Sequence, residues 1–167
     1  MEERKDKDNY YLDIADTVLI RSTCLRRKYG ALIVLHDEII ATGYNGAPRG
    51  RQNCPDRGEC IRDTLDIPRG ERYELCRSVH AEMNAIISAS RRDMLGSTLY
   101  LSGRDAKTNA LLGEEMTMPC SMCRRLIINA GVLRTVCRVS SDEYVVTNTR
   151  DWVFNDDSVQ NPMQKEK

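Results

Sequence analysis

The sequence predicts an α/β fold, a sheet with helices packed against it. Three patterns lead there: an amphipathic helix near the start, a pair of apolar strands after it, and a helix-strand-helix-strand alternation from His80 to Val139. The length, 167 residues and 19.1 kDa, suits one domain. We expect it to occupy residues 1–155, with a partly disordered tail over 156–167.

From Asn9 to Arg27 the residues Leu12, Ala15, Val18 and Leu19 recur at helical spacing, with Asp8 or Asn9 as the expected cap. Ala31 to Leu35 is a continuous apolar run and Ile39 to Thr42 resumes it after His36-Asp37-Glu38, a hairpin pattern without an ideal two-residue turn. Gly43 to Val79 is irregular and contains Cys54, Cys60 and Cys76; a connection that long is usually functional or fastened. His80 to Arg91 reads as a helix, Thr98 to Ser102 as a buried strand, and Gly103 to Met118 as a second irregular stretch. Pro119 opens a helix that runs through Asn129 and stops at Gly131; Val132 to Val139 is the next strand. Tyr144 to Thr147 and Trp152 to Phe154 are short apolar pieces in a polar background.

Charge narrows the function. Lys plus Arg number 25 and Asp plus Glu number 25, so no partner is selected by bulk electrostatics, and nucleic acid is not expected. No apolar run approaches the ~20 residues of a membrane span. The first ten residues are charged throughout and lack a secretory apolar stretch, so a cytoplasmic setting is expected, with the seven cysteines reduced and available to metal.

Two motifs carry chemistry, His80-Ala81-Glu82 and Pro119-Cys120-Ser121-Met122-Cys123, each at the start of a predicted helix. Cys120 and Cys123 stand at i and i+3, so their sulfurs share a face and can grip one tetrahedral ion, with His80 as a third ligand. Three protein ligands leave one position for water, the pattern of a catalytic zinc. Glu82, two residues from the histidine, is placed to carry protons between that water and a substrate. His-x-Glu with Pro-Cys-x-x-Cys is the signature of zinc nucleobase deaminases.

With these residues the chain resembles the cytidine and deoxycytidylate deaminase superfamily, in its deoxycytidylate (dCMP) branch. Tyr29-Gly30-Ala31-Leu32-Ile33-Val34, the run Ile39 to Gly46, His80 to Ile86 and Thr98 to Leu101 carry the match, which covers residues 9 to 140. The resemblance implies a three-layer cytidine-deaminase-like fold, a mixed central sheet flanked by helices. It implies zinc on His80, Cys120 and Cys123, Glu82 as proton donor and acceptor, and hydrolysis of dCMP to dUMP and ammonia, feeding dTMP synthesis. Asn45 and the Ala81 backbone are implied in pyrimidine binding, and Arg91 in phosphate or subunit contacts. Gly43, Tyr44, Asn45 and Gly46 are implied in binding dCTP or dTTP effectors with Mg2+.

Some members carry a second, structural zinc, and Cys24 and Cys54 match two of its ligand positions, with Cys60 and Cys76 as the candidates to complete it. Arg26, Arg27, Arg57, Arg62 and Arg77 stand beside these cysteines to offset the thiolate charge. A homo-oligomer, dimer or hexamer, is also implied.

The residues themselves leave alternatives. Asn45 offers a donor and an acceptor to a ligand, or is a turn residue in a left-handed conformation. Arg49 and Arg51 compete with Arg91 for phosphate because guanidinium forks suit phosphate oxygens. Cys137 reads as a core thiol. Ser102 to Met118 departs from the family as an insertion at the rim of the expected pocket, and Tyr144 is out of register with the family's C-terminal aromatic contact. A related deaminase of another nucleoside, base or transfer-RNA adenosine is the alternative function. A non-catalytic zinc module is another, though it would have no use for Glu82.

Overall fold

The computed structural model describes residues 4–155; the expected tail, 156–167, lies outside them. One mixed sheet of five strands, in the order β2-β1-β3-β4-β5, organises the chain. Its strands are β1 (Arg27–Leu35), β2 (Glu38–Tyr44), β3 (Thr98–Asp105), β4 (Arg134–Arg138) and β5 (Tyr144–Asn148). β1 is antiparallel to both β2 and β3; β3 and β4 are parallel, and β4 and β5 antiparallel.

Three layers follow from the period-2 alternation of the central strands. Leu32, Val34, Tyr100 and Val136 face α1 (Lys7–Val18), meeting Tyr11, Leu12 and Ala15. Ala31, Ile33, Leu99, Leu101 and Cys137 face the other way, onto α4 (Ala81–Ile87) and α7 (Ser121–Ala130) through Ala81, Ala85, Cys123 and Ile127. Burial on both faces explains why Ala31 to Val34 reads as an unbroken apolar run. It also makes Cys137 the core thiol expected from sequence, at 1 % exposure.

Several boundaries differ from the sequence reading, each for a local reason. Asp6, not the expected Asp8 or Asn9, caps α1 by accepting from the Asn9 N–H at 3.0 Å. The helix ends at Val18 and tightens into a 3-10 turn, Leu19–Arg21, so Cys24 lies in a loop and β1 starts at Arg27, earlier than the apolar run. The hairpin does have a two-residue turn: His36 and Asp37 sit at φ 51° and 67°, which the right-handed twist of hairpins favours. Neither is the Gly or Asn that advertises such a turn; the Tyr11 hydroxyl compensates by donating to Asp37 Oδ1 at 2.7 Å. α4 stops at Ile87, before Arg91, because Ser88 Oγ turns back onto the Asn84 carbonyl and Ser90 caps a separate helix, α5 (Arg91–Met94). β3 runs on to Asp105, paired with β1 along its length, which takes the first residues of the supposed insertion into the sheet.

The long connection carries α2 (Cys54–Arg57), α3 (Ile61–Thr64) and a 3-10 turn, Tyr73–Leu75. Arg62, 5 % exposed, fastens it by donating to the Pro68 and Glu71 carbonyls, both at 2.6 Å, under the Tyr73 ring. Its ends meet at a bridge between Gly46 and Val79. α6 (Glu114–Thr117) precedes α7, whose stop is Gly131 in the left-handed region, and α8 (Thr149–Phe154) closes the described chain.

Candidate active site

The N-termini of α4 and α7 meet at the end of the sheet where β1 begins and β2 and β3 finish. His80 is the N-cap of α4, Cys120 that of α7, and Cys123 lies in the first turn of α7. Two close approaches set α4 in place. Gly43 of β2 lies so near that a β-carbon would fall 2.2 Å from the Ala81 carbonyl oxygen. The Gly46–Val79 bridge, with N–H to O distances of 3.2 and 2.8 Å, fixes the chain just before His80.

His80 Nδ1 is 3.5 Å from Cys120 Sγ and 3.4 Å from Cys123 Sγ, and the three donors lie within 4.8 Å of one another. Bonds of about 2.0–2.3 Å at tetrahedral angles separate neighbouring ligand atoms by ~3.5 Å, close to the two His80–sulfur distances, so the donor set suits one zinc ion. Their protons are already unequal. A hydrogen bond with Cys123, helped by His80 and opposed by burial, pulls the Cys120 thiol down to about 4; the same bond and burial push Cys123 up. Burial works against a charged His80, but Cys120 and Glu82 outweigh it and raise its pKa. Glu82 is 5 % exposed and burial pushes its carboxyl pKa up, as a group that carries protons near neutrality requires.

A cleft open to solvent lies over this centre. Tyr29 lines it and donates its hydroxyl to the Met116 carbonyl at 2.5 Å, tying β1 to the 106–118 segment, which forms the rim through Met116, Thr117 and Met118. Tyr73 sets its ring edge-on to His80, centroids 5.1 Å apart. Arg124 holds the Pro-Cys turn: its Nε donates to the Pro119 carbonyl at 3.0 Å, and its guanidinium lies over Trp152 of α8.

The other sequence candidates are placed less uniformly. Asn45 lines the cleft but is not in a left-handed turn; its Oδ1 accepts from Tyr29 N–H at 2.8 Å and Ser22 Oγ at 2.7 Å, and Nδ2 donates to the Arg27 carbonyl at 2.9 Å. It therefore braces the start of β1 and keeps one amide hydrogen for a ligand. Ala81 lines the cleft, and its N–H, first in α4, has no acceptor within the helix. Gly43, Tyr44, Gly46 and Arg49 surround a separate depression beside α4, with Asn84 donating to the Tyr44 carbonyl at 2.7 Å. Arg91 points away, its Nε donating to the Asn129 carbonyl at 2.8 Å, and Arg51 and Tyr144 do not line the cleft either. Cys24, Cys54, Cys60 and Cys76 come near enough to raise the Cys54 pKa beyond what burial does. Among the described residues, though, His80, Cys120 and Cys123 form the one such group gathered within 4.8 Å. The sequence reading missed Tyr29, Tyr73, Arg69 and Thr117 as cleft residues; all lie in segments it left irregular or read as plain strand.

Residues 5–139 match the family model described as the cytidine and deoxycytidylate deaminase zinc-binding region. A deoxycytidylate deaminase of Mycobacterium phage D29 is 36% identical over 137 residues, covering 80% of this chain and 94% of that protein. One from Schizosaccharomyces pombe is 34% identical over 137 residues, 82% of this chain but 38% of its own length. Among solved structures, the dCMP deaminase of cyanophage S-TIM5 in its apo form superposes with a TM-score of 0.51 at 26% identity, over 78% of this chain and 81% of that one.

Proposed function

The chain belongs to the cytidine and deoxycytidylate deaminase zinc-binding family, and on that footing we propose that it hydrolyses dCMP to dUMP with release of ammonia. The observation that carries the reading is the trio His80, Cys120 and Cys123 beside buried Glu82 in one cleft. Similarity to the phage D29 enzyme over nearly its whole length favours dCMP as the substrate.

His80, Cys120 and Cys123 would hold the zinc, which when bound would supply a Lewis acid able to make water nucleophilic near neutral pH. Glu82 takes a proton from the attacking water and delivers it to N3 of the base as the oxygen adds at C4. The same carboxyl then moves the second water proton to the exocyclic amine, so C4–N breaks, ammonia leaves and a carbonyl forms; one water is consumed per ammonia released. The raised pKa of Glu82 suits both halves of that transfer, since the group must accept and give up a proton at one working pH. The free N–H of Ala81 and the spare Asn45 amide hydrogen are donors for the pyrimidine carbonyl, and the rim at Met116 to Met118 limits water around it.

The same reading extends to features that rest on resemblance. A second, structural zinc on Cys24, Cys54, Cys60 and Cys76 would fasten the 43–79 connection, supported by the proximity of those thiols. Regulation by dCTP and dTTP with Mg2+ would act at the depression around Tyr44. Association into a homo-oligomer is supported by exposed Ile87, Leu133 and Phe154. The enzyme would work in the cytoplasm; among the described residues no helix is long and apolar enough to cross a membrane.

Ammonia release from dCMP and from deoxycytidine by purified protein tests the assignment. Steady turnover of dCMP with a clear preference over deoxycytidine is expected; equal turnover of both would overturn the nucleotide assignment.

A further inference from the structure

The chain is neutral overall, with 25 basic and 25 acidic residues, yet its cleft is not. Arg26, Arg27, Arg62 and Arg69 line it, against the single carboxylate Glu82. Segregating cations in this way costs self-repulsion unless an anion arrives to meet them.

The four guanidiniums are not equally available. Arg26 is paired with Asp63 at 3.0 Å. Arg62 spends its nitrogens on the Pro68 and Glu71 carbonyls. The Arg27 carbonyl accepts from Asn45, but the Arg27 guanidinium has no hydrogen-bond or ion-pair partner among the described residues. Arg69 is exposed and makes one long contact, 3.4 Å to the Met118 carbonyl across the rim. A charge-assisted, bidentate bond to phosphate is far stronger than a contact of that length to a neutral carbonyl, so an anion in the cleft would take Arg69 from it.

Arg69 is also preorganised. It follows Pro68, whose carbonyl Arg62 holds from inside the loop, so its backbone is pinned beside the cleft before any ligand binds. The arginines that the sequence alone nominated are elsewhere: Arg91 is engaged with Asn129, and Arg49 borders the depression beside α4.

We propose that Arg69, with Arg27 in the same cleft, binds the 5′-phosphate of the substrate and is the residue pair that selects a nucleoside monophosphate over the free nucleoside. This rests on the deamination of dCMP proposed above, and it assigns the selection to a loop outside the two zinc motifs.

The test uses zinc-loaded wild-type enzyme and the variants Arg69→Gln, Arg69→Lys and Arg27→Gln, each measured with dCMP and with deoxycytidine. For Arg69→Gln the ratio of kcat/KM values, dCMP over deoxycytidine, should fall roughly tenfold to hundredfold, mainly through KM for dCMP. Arg69→Lys should recover part of the loss, and Arg27→Gln should lower the same ratio. Arg92→Gln, an exposed arginine on α5, should leave it alone. A wild-type preference for dCMP that survives in both glutamine variants overturns this proposal and leaves the parent reading standing. An equal loss on both substrates also overturns it, because that marks a structural role. A wild-type enzyme with no preference for dCMP overturns the parent reading first and this one with it.

Discussion

Replacing Gly43 by alanine should damage the site without touching a reacting group. The added methyl would sit 2.2 Å from the Ala81 carbonyl oxygen, 2.4 Å from the Ala85 nitrogen and 2.9 Å from the Asn84 carbonyl carbon. All three are backbone atoms of α4, so no side-chain rotation relieves the overlap. Ordinary contact begins near 3.4 Å, so β2 and α4 must separate by about 1 Å. Overpacking of this kind costs about 1–3 kcal/mol, and the helix that moves carries His80 at its cap and Glu82 in its first turn. A site of this type tolerates displacements of about 0.5 Å, so a shift twice that size should lower turnover of dCMP by ~10²-fold and weaken metal retention. Thermal unfolding, zinc content after dialysis against a chelator, and turnover measured on one preparation check the chain of cause. Gly43→Ala with unchanged melting temperature, zinc and rate would refute the packing role. An intact rate with altered effector response would return Gly43 to a ligand-binding role instead.

Glu82→Gln keeps the shape of the side chain but cannot carry the proton; turnover should drop by about 10²–10⁴-fold while zinc content stays at the wild-type level, as steady-state kinetics with metal analysis will show. Turnover within a few-fold of wild type would assign proton transfer elsewhere. Asp8 gives a pH test far from the site. Burial raises its pKa, but hydrogen bonds from Arg134, at 3.0 and 2.5 Å, and from Tyr100, at 2.8 Å, outweigh it and hold the carboxyl below 3.8. A pKa lowered on folding contributes stability that is fully present above the unfolded value of 3.8 and fades as pH falls through the folded one. Asp8→Asn should therefore cost about 1 kcal/mol in urea unfolding at pH 7, solvent screening of the partly exposed pair keeping the figure small, with the gap to wild type closing below pH 3.8; a gap that widens in acid would contradict the pairing.

What the sequence made legible was what periodicity and short-range spacing encode. The apolar run of β1, the α7 helix with its Gly131 stop and the nearness of His80 to the Cys120–Cys123 pair follow from patterns within a few residues or from a recognised motif. What escaped it depends on partners distant in sequence. The His36-Asp37 turn is stabilised by Tyr11, from another element, so its residues do not announce it. The 43–79 connection reads as irregular because its helical pieces are single turns, held by one buried arginine and a two-residue bridge, none of which leaves a period. The resemblance implicates Asn45 in ligand binding, while most of its amide chemistry is spent on the chain itself. Arg91 was expected on the His80 helix, and a serine on either side of the break set it on another.

Zinc stoichiometry and turnover, measured together in wild type, His80→Ala and Cys123→Ser purified without chelators, bear most directly on the central claim that one imidazole and two thiolates make a hydrolytic metal centre. Each variant should lose one zinc equivalent per chain relative to wild type and lose dCMP turnover with it, whatever metal the other cysteines hold. Variants that keep the full zinc content and the wild-type rate would contradict it.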